Sequence, residues 1–108
     1  MICEQGDIVE VSFDPTRGHE LQKTRPALVV STNAFNLRSS LTAVCPITST
    51  DNGYPLHVRI DDDEIHGFAC VEALRTLDLQ ERACRKVGVA DGDAMGEVLS
   101  YIGAIFGI

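Results

Sequence analysis

Short apolar stretches fill the first two-thirds of the chain and predict β-strands. Residues 8–13 alternate, which places Val9, Val11 and Phe13 on one face. Residues 56–60 alternate as well, with Leu56 and Val58 among the residues facing inward. Further strands are predicted at residues 27–31, 41–47, 67–74 and 83–89, and residues 77–82 form a connector between the last two. Pro46 lies in one of these strands and requires an edge or a bulge there.

Helical spacing of apolar residues occurs mainly at the end of the chain. Residues 95–106 carry apolar side chains at this spacing, and Asp91 or Asp93 can cap the helix. One helical turn is predicted at residues 32–37, capped by Thr32 or Asn33, with Phe35 in the core. The pattern therefore predicts a mainly β fold with a C-terminal helix, a small antiparallel barrel formed by a single domain over residues 1–108. A doubly wound α/β sheet is excluded because no helices separate the early strands.

Composition narrows the class of protein. The 44% hydrophobic content is ordinary for a globular domain, and no apolar segment of 18 residues could span a membrane. Residues 1–7 have no features of a secretory signal, so we expect a cytoplasmic protein. The four cysteines lack the CxxC spacing of metal sites and are expected to be reduced thiols. They are Cys3, Cys45, Cys70 and Cys84.

Charge places a condition on any nucleic-acid site. The chain has 16 acidic and 9 basic residues and a net charge of −7. Proteins that grip a phosphate backbone usually carry excess Lys and Arg. Part of the acidity is one run at residues 61–64, predicted to be a solvated loop. A nucleic-acid site would therefore be a local basic patch on an acidic protein.

Candidate chemistry is concentrated in residues 13–31, where a charged loop precedes a buried strand. Nucleotide-binding, serine-hydrolase and HExxH zinc motifs are absent from the chain. His57 and His66 lie near the acidic run, where either a fortuitous divalent-cation site or a solvated loop is consistent with the sequence.

Metal-free RNA cleavage needs a base for the 2′-OH, a stabiliser for the phosphorane and an acid for the leaving group. The 13–31 segment offers all three types of residue. Arg25 can bind phosphate oxygens through two donors, Glu20 can act as a base, and His19 can act as a base or an acid. A solvated surface loop explains the same residues, and their spacing does not decide between the two interpretations.

Several motifs of this chain resemble the MazF/PemK/Kid family of endoribonuclease toxins. They are Gly6-Asp7-Ile8, Phe13-Asp14-Pro15-Thr16-Arg17-Gly18-His19-Glu20, Arg25-Pro26-Ala27-Leu28-Val29-Val30-Ser31, Pro46-Ile47-Thr48-Ser49 and Gly53-Tyr54-Pro55. The resemblance covers nearly the whole chain and implies an SH3-like antiparallel barrel of the MazF/PemK/CcdB type. It implies a metal-independent endoribonuclease of a type II toxin–antitoxin system, cutting single-stranded RNA to a 2′,3′-cyclic phosphate and a 5′-OH end.

The resemblance also assigns roles to individual positions. Arg25 matches the arginine that stabilises the scissile phosphate, and Thr48 matches a second active-site donor. Glu20 and His19 match the acid and the histidine of the first loop. Where some members have an Arg and an Asp, this chain has Cys70 and Glu72; Glu72 is a further candidate base or the partner of a salt bridge to Arg25 or Arg75.

RNA binding outside the catalytic group is predicted at three residues. Arg17 and Lys23 are candidates for positioning phosphates, or are merely exposed. Tyr54, in the Gly-Tyr-Pro turn, is the best candidate for stacking on a base.

The family implies a homodimer, a cognate antitoxin as protein partner and no cofactor or metal. Two other functions stay open at this point. One is a non-catalytic toxin of the CcdB type that binds a protein such as DNA gyrase. The other is a degenerate member that only binds its antitoxin.

Overall fold

The computed structural model describes residues 3–13, 24–51 and 53–108. They form an almost entirely antiparallel β fold that ends in a helix. In chain order the elements are β1 (Asp7–Ser12), β2 (Thr24–Val29), α1 (Asn33–Ser39), β3 (Thr42–Thr48), β4 (His57–Asp61), β5 (His66–Cys70), a 3₁₀ turn (Val71–Ala73), β6 (Arg75–Leu77), β7 (Cys84–Val89) and α2 (Gly92–Phe106). The predicted fold class is confirmed. No helix in the described part of the chain could cross a lipid bilayer.

The seven strands form one sheet in the order β4-β5-β3-β2-β1-β7, and β6 also pairs with β3. One edge of β3 pairs with β2. Its other edge is shared, because residues 42–44 pair with β6 and residues 47–48 pair with β5. Pro46 lies at the change of partner and pairs with Ala27 on the β2 side. The sheet thus accommodates this proline inside a central strand, where the sequence predicted an edge or a bulge.

The sheet curls until its two ends approach each other. Gly88 of β7 lies against Asp62 in the β4–β5 turn, where a Cβ atom would be 2.1 Å from a carboxylate oxygen. A side chain at this position would require the Asp62 carboxylate to move away. The curl gives both faces of the sheet a buried cluster. One, with Ile8 and Ile60, packs against α2; the other, with Val9 and Val11, has Phe13 packed against it.

The terminal helix is held by its cap and by one apolar face. The Asp91 carboxylate accepts a hydrogen bond from the Ala94 backbone N–H at 2.7 Å, and Gly107 ends the helix in a left-handed conformation. Val98 is fully buried against the sheet. Asp91 rather than Asp93 is therefore the cap, and Thr32 caps α1 in the same way.

Two further sequence predictions differ from the structure. The strand expected at residues 67–74 ends at Cys70 and continues as a 3₁₀ turn, so that the following residues can return to β3 as β6. Phe35, expected in the core, is 42% exposed, because α1 buries Asn36 instead. The Asn36 side chain donates to the Cys3 carbonyl at 2.8 Å and fixes the helix to the N-terminal segment.

Candidate active site

Arg25 and Thr48 meet at one end of the β2–β3 pair. Ala27 pairs with Pro46, and extending this antiparallel register by two residues sets Arg25 opposite Thr48. Both border a cleft of about 430 Å³. The cleft is lined by Arg25, Pro26, Ile47, Thr48, Ser49, Glu64, Ile65 and His66. The two residues to which the family resemblance assigns phosphate binding therefore share one cleft.

Local sequence explains how each of the two is presented. Pro26 keeps Arg25 extended, since a residue before proline avoids the helical region, and Arg25 is exposed. Thr48 is the last residue of β3, and its hydroxyl accepts a hydrogen bond from the Thr50 backbone N–H at 3.3 Å. Arg25 and Thr48 thus bring a guanidinium and a hydroxyl to the lining of one cleft.

Gly67 sets the position of Thr48 from the β5 side. A Cβ atom at Gly67 would lie 2.5 Å from the Thr48 carbonyl oxygen and 2.9 Å from Cγ2 of Ile47. Such distances are not tolerated by a packed backbone, so a side chain here would push β5 and β3 apart. The absence of a side chain at this position lets the two strands close around the cleft.

Four predicted residues fall between β1 and β2 in the sequence. Arg17, His19, Glu20 and Lys23 lie outside the described residues. Their roles, including that of Glu20 as a base, stay predictions.

Glu72 takes part in a second polar group next to the cleft. Its carboxylate oxygen Oε2 lies 3.0 Å from Nε2 of His57, whose side chain is only 7% exposed. The ion pair predicted for Glu72 was to Arg25 or Arg75. The structure gives it His57 instead, while the Arg75 guanidinium lies 5.3 Å from the centre of the Phe13 ring. The reason is strand pairing: His57 of β4 is opposite Cys70, immediately before the turn that carries Glu72.

Tyr54 covers this histidine rather than standing free in a loop. The centres of the Tyr54 and His57 rings are 5.3 Å apart with planes inclined at 52°. The tyrosine is still 48% exposed. An exposed aromatic ring near the cleft is consistent with the predicted stacking role.

Cys70 connects the second polar group to the cleft. Burial and the negative charge of Glu72 raise the pKa of the Cys70 thiol, and a hydrogen bond from the Thr48 backbone offsets part of this rise. The thiol itself donates to the Phe68 carbonyl at 3.8 Å. Cys70 therefore supplies no positive charge to the site and lies directly beside Thr48.

Sequence reasoning missed a row of side chains across β4 and β5. Phe68 is opposite Thr48, and the Arg59 guanidinium lies 5.8 Å from the centre of the Phe68 ring. Arg59 and His66 both contact Asp61, at 2.7 and 2.9 Å, and these partners lower the pKa of that carboxyl. The alternation of β4 did contain the signal, because inward Val58 and Ile60 imply that His57 and Arg59 face the other way.

The electrostatics of the cleft are mixed. Arg25 supplies a permanent positive charge, whereas Glu64, from the acidic turn, lines the same cleft. A guanidinium and a hydroxyl converging on open space are suited to binding a phosphodiester. The Glu64 carboxylate restricts phosphate binding to a small area of the cleft. This agrees with the local basic patch expected on an acidic protein.

The chain is similar to known proteins in both sequence and structure. The sequence model of the family described as PemK-like, MazF-like toxin of type II toxin–antitoxin system matches residues 4–106. The endoribonuclease toxin ChpB of Escherichia coli K12 is 38% identical over 108 residues, covering 94% of this chain and 92% of the relative. Endoribonuclease PemK of Escherichia coli is 35% identical, covering 94% and 80%. The crystal structure of MazF from Deinococcus radiodurans (Form-I) has a TM-score of 0.86 at 32% identity, covering 100% and 99%.

Proposed function

Because the chain belongs to the PemK-like, MazF-like toxin family of type II toxin–antitoxin systems and is an endoribonuclease of that family, we propose that it cleaves single-stranded RNA without a metal ion. The attacking group is the 2′-OH next to the scissile phosphate. The products are a 2′,3′-cyclic phosphate and a 5′-OH end. The single observation that carries this mechanism is the cleft shared by Arg25 and Thr48.

Arg25 and Thr48 hold the phosphate in this proposal. The guanidinium donates two parallel hydrogen bonds to the non-bridging oxygens, and its charge balances the negative charge that grows in the phosphorane. The Thr48 hydroxyl adds a donor from the neighbouring strand. Both side chains come from paired strands, so the distance between the donors is set before RNA arrives.

Glu20 is the proposed base, with His19 as the acid or the alternative base. Both assignments rest on the family resemblance. Glu72 is less suited to this role, because His57 already binds its carboxylate at 3.0 Å. We expect the Glu72–His57 pair to support the site rather than to take the proton.

Exchanging each carboxylate for its amide tests this choice of base. Glu20→Gln is expected to slow cleavage about 10²–10⁴-fold, the usual contribution of a general base. Glu72→Gln is expected to slow it less than about tenfold. Single-turnover rates at saturating enzyme measure both. The reverse order of effects would assign the base to Glu72.

RNA contacts outside the catalytic group are proposed at Tyr54, Arg17 and Lys23. The half-exposed Tyr54 ring offers a stacking surface, and the two basic residues position phosphates. A row formed by Arg59 and Phe68 extends the same surface across β4 and β5.

The proposed protein partners are a cognate antitoxin and a second copy of the chain. A structure of MazE–MazF from Deinococcus radiodurans (Form-III) resembles this chain with a TM-score of 0.87 at 30% identity. We propose the cytoplasm as the location. The gyrase-binding and degenerate alternatives are not favoured, since the curated relatives ChpB, MazF and PemK are named endoribonucleases.

Mapping cut sites on a long single-stranded RNA in EDTA tests the proposed function. Cleavage is expected at discrete sequences and at an unchanged rate when the chelator is added, because no step uses a metal. The 5′ ends should accept phosphate from a kinase without prior treatment, since they carry a free hydroxyl. A substrate with a 2′-deoxyribose at the cut site is the matched control and is expected to resist cleavage. Loss of all cleavage in EDTA, or cleavage of the deoxy substrate, contradicts the mechanism.

A further inference from the structure

Three metal-ligand side chains from different elements meet beside the cleft. They are His57 of β4, Cys70 of β5 and Glu72 of the 3₁₀ turn, and one ligand atom of each lies within 4.8 Å of the other two. We propose that they form a binding site for a thiophilic divalent cation of the zinc class. Imidazole nitrogen, thiolate sulfur and carboxylate oxygen are the donors of zinc sites, and three protein ligands leave a fourth position open.

The hydrogen bonding of His57 favours a bound cation. Nδ1 is buried and has no partner among the described residues, while Nε2 lies 3.0 Å from the Glu72 carboxylate. With the proton on Nε2, Nδ1 keeps a buried lone pair without a donor. With the proton on Nδ1, the Nε2 lone pair faces a carboxylate oxygen. In this second form a cation bound between Nε2 and the carboxylate oxygen would satisfy both lone pairs at once.

The fold holds the three ligands in place before a metal arrives. Antiparallel pairing sets His57 directly opposite Cys70, and Glu72 follows two residues later. The Tyr54 ring packs against the imidazole, whose side chain is 7% exposed. The Glu72 side chain is 30% exposed and leaves a path from solvent. Little reorganisation is needed for binding.

The donor set selects the kind of metal. Magnesium and calcium prefer oxygen ligands, whereas a sulfur and a nitrogen donor favour zinc or cobalt. On binding, a sulfur–metal bond forms and the Cys70 thiol releases its proton to solvent. No oxidation state changes. The net charge of −7 favours cation binding in general.

Cysteine spacing predicted no metal site, and the structure shows why that reasoning could not find one. The ligands lie 13 and 2 residues apart along the chain, and only the pairing of β4 with β5 brings them together. The inference is independent of the proposed RNA chemistry, which uses none of the three as a required group. Chelator-resistant cleavage and metal binding by the same protein are compatible.

Titrating the full chain with Co²⁺ tests the site without reference to nuclease activity. We expect one cobalt per chain and a thiolate-to-cobalt charge-transfer band in the near ultraviolet, displaced by Zn²⁺. Zn²⁺ is also expected to raise the melting temperature, since ligands of the folded state stabilise it. Cys70→Ser is expected to abolish the band. Glu72→Gln, a change at a partly exposed residue, is expected to weaken cobalt affinity at least tenfold.

Cys84→Ser is the matched control. Cys84 lies away from this site and its thiol contacts that of Cys3, so the variant removes one thiol and leaves the proposed ligands intact. It is expected to bind cobalt as the unmodified chain does. Loss of the band in Cys84→Ser, or its persistence in Cys70→Ser, would place the metal elsewhere and overturn the proposal. So would the absence of any band in the unmodified chain.

Discussion

Arg25→Ala is expected to slow RNA cleavage by about 10³-fold or more while the melting temperature stays within a few degrees. Arginines that balance charge in phosphoryl-transfer transition states contribute about 10³–10⁵-fold. Arg25 is exposed, and its neighbours Ala27 and Leu28 carry the packing of β2. The side chain can therefore be removed without opening a cavity. Single-turnover kinetics with a substrate cut at one site provide the measurement.

Arg38→Ala separates the local effect of Arg25 from a general effect of charge. Arg38 is exposed in the last turn of α1 and its loss changes the net charge by the same amount. It is expected to leave the rate within a few fold of the original. Equal losses in the two variants would mean that Arg25 acts only through overall charge. Arg25→Lys is expected to recover a small part of the rate, because lysine keeps the charge and lacks the two-pronged donor.

Gly67→Ala is expected to destabilise the fold by about 1–3 kcal/mol and to slow cleavage by about 10²-fold. The new methyl group would meet the Thr48 carbonyl oxygen and the Ile47 side chain at distances that force β5 away from β3. A displacement of about 1 Å at a positioning group can cost about 10²-fold in rate. Denaturant unfolding measures the stability, and cleavage at a temperature where both proteins are folded measures the rate.

Gly96→Ala is the matched control for this substitution. Gly96 lies in α2, and no atom of the described residues outside its own helix lies within 4 Å of the added Cβ. Alanine there is expected to stabilise the protein by about 1 kcal/mol, the difference in helix propensity. If Gly67→Ala has the stability and rate of the unmodified chain, the close approach of β5 does not position Thr48.

The fold could be predicted where side-chain alternation and caps decide the local structure. The alternation of β1 and β4 placed Val9, Val11, Val58 and Ile60 correctly in the core. The N-cap of the terminal helix is Asp91, one of the two residues predicted for it. These features depend on residues close together in the sequence, which is why a single sequence contains them.

The rest depended on which strands pair. The shared edge of β3 allows Pro46 in a central strand, and no local pattern indicates that edge. The candidate site divides in the same way. Arg25 and Thr48 could be selected from the sequence. The proximity of His57, Cys70 and Glu72 depends on the β4–β5 register. Phe35 was misplaced because hydrophobicity alone does not show that Asn36 forms the buried contact of α1.

The shared edge of β3 has a consequence for how the molecule folds. Among the described strands, the β4–β5 hairpin pairs with the rest of the sheet through residues 47–48, and β6 through residues 42–44. Neither the hairpin nor β6 can therefore join β1, β2 and β7 in one sheet until β3 has docked on β2, which makes this docking the step that ties distant parts of the chain together. Thr48 belongs to β3. The hydroxyl of the proposed active site is therefore carried by the strand whose release would unfold the sheet as a whole.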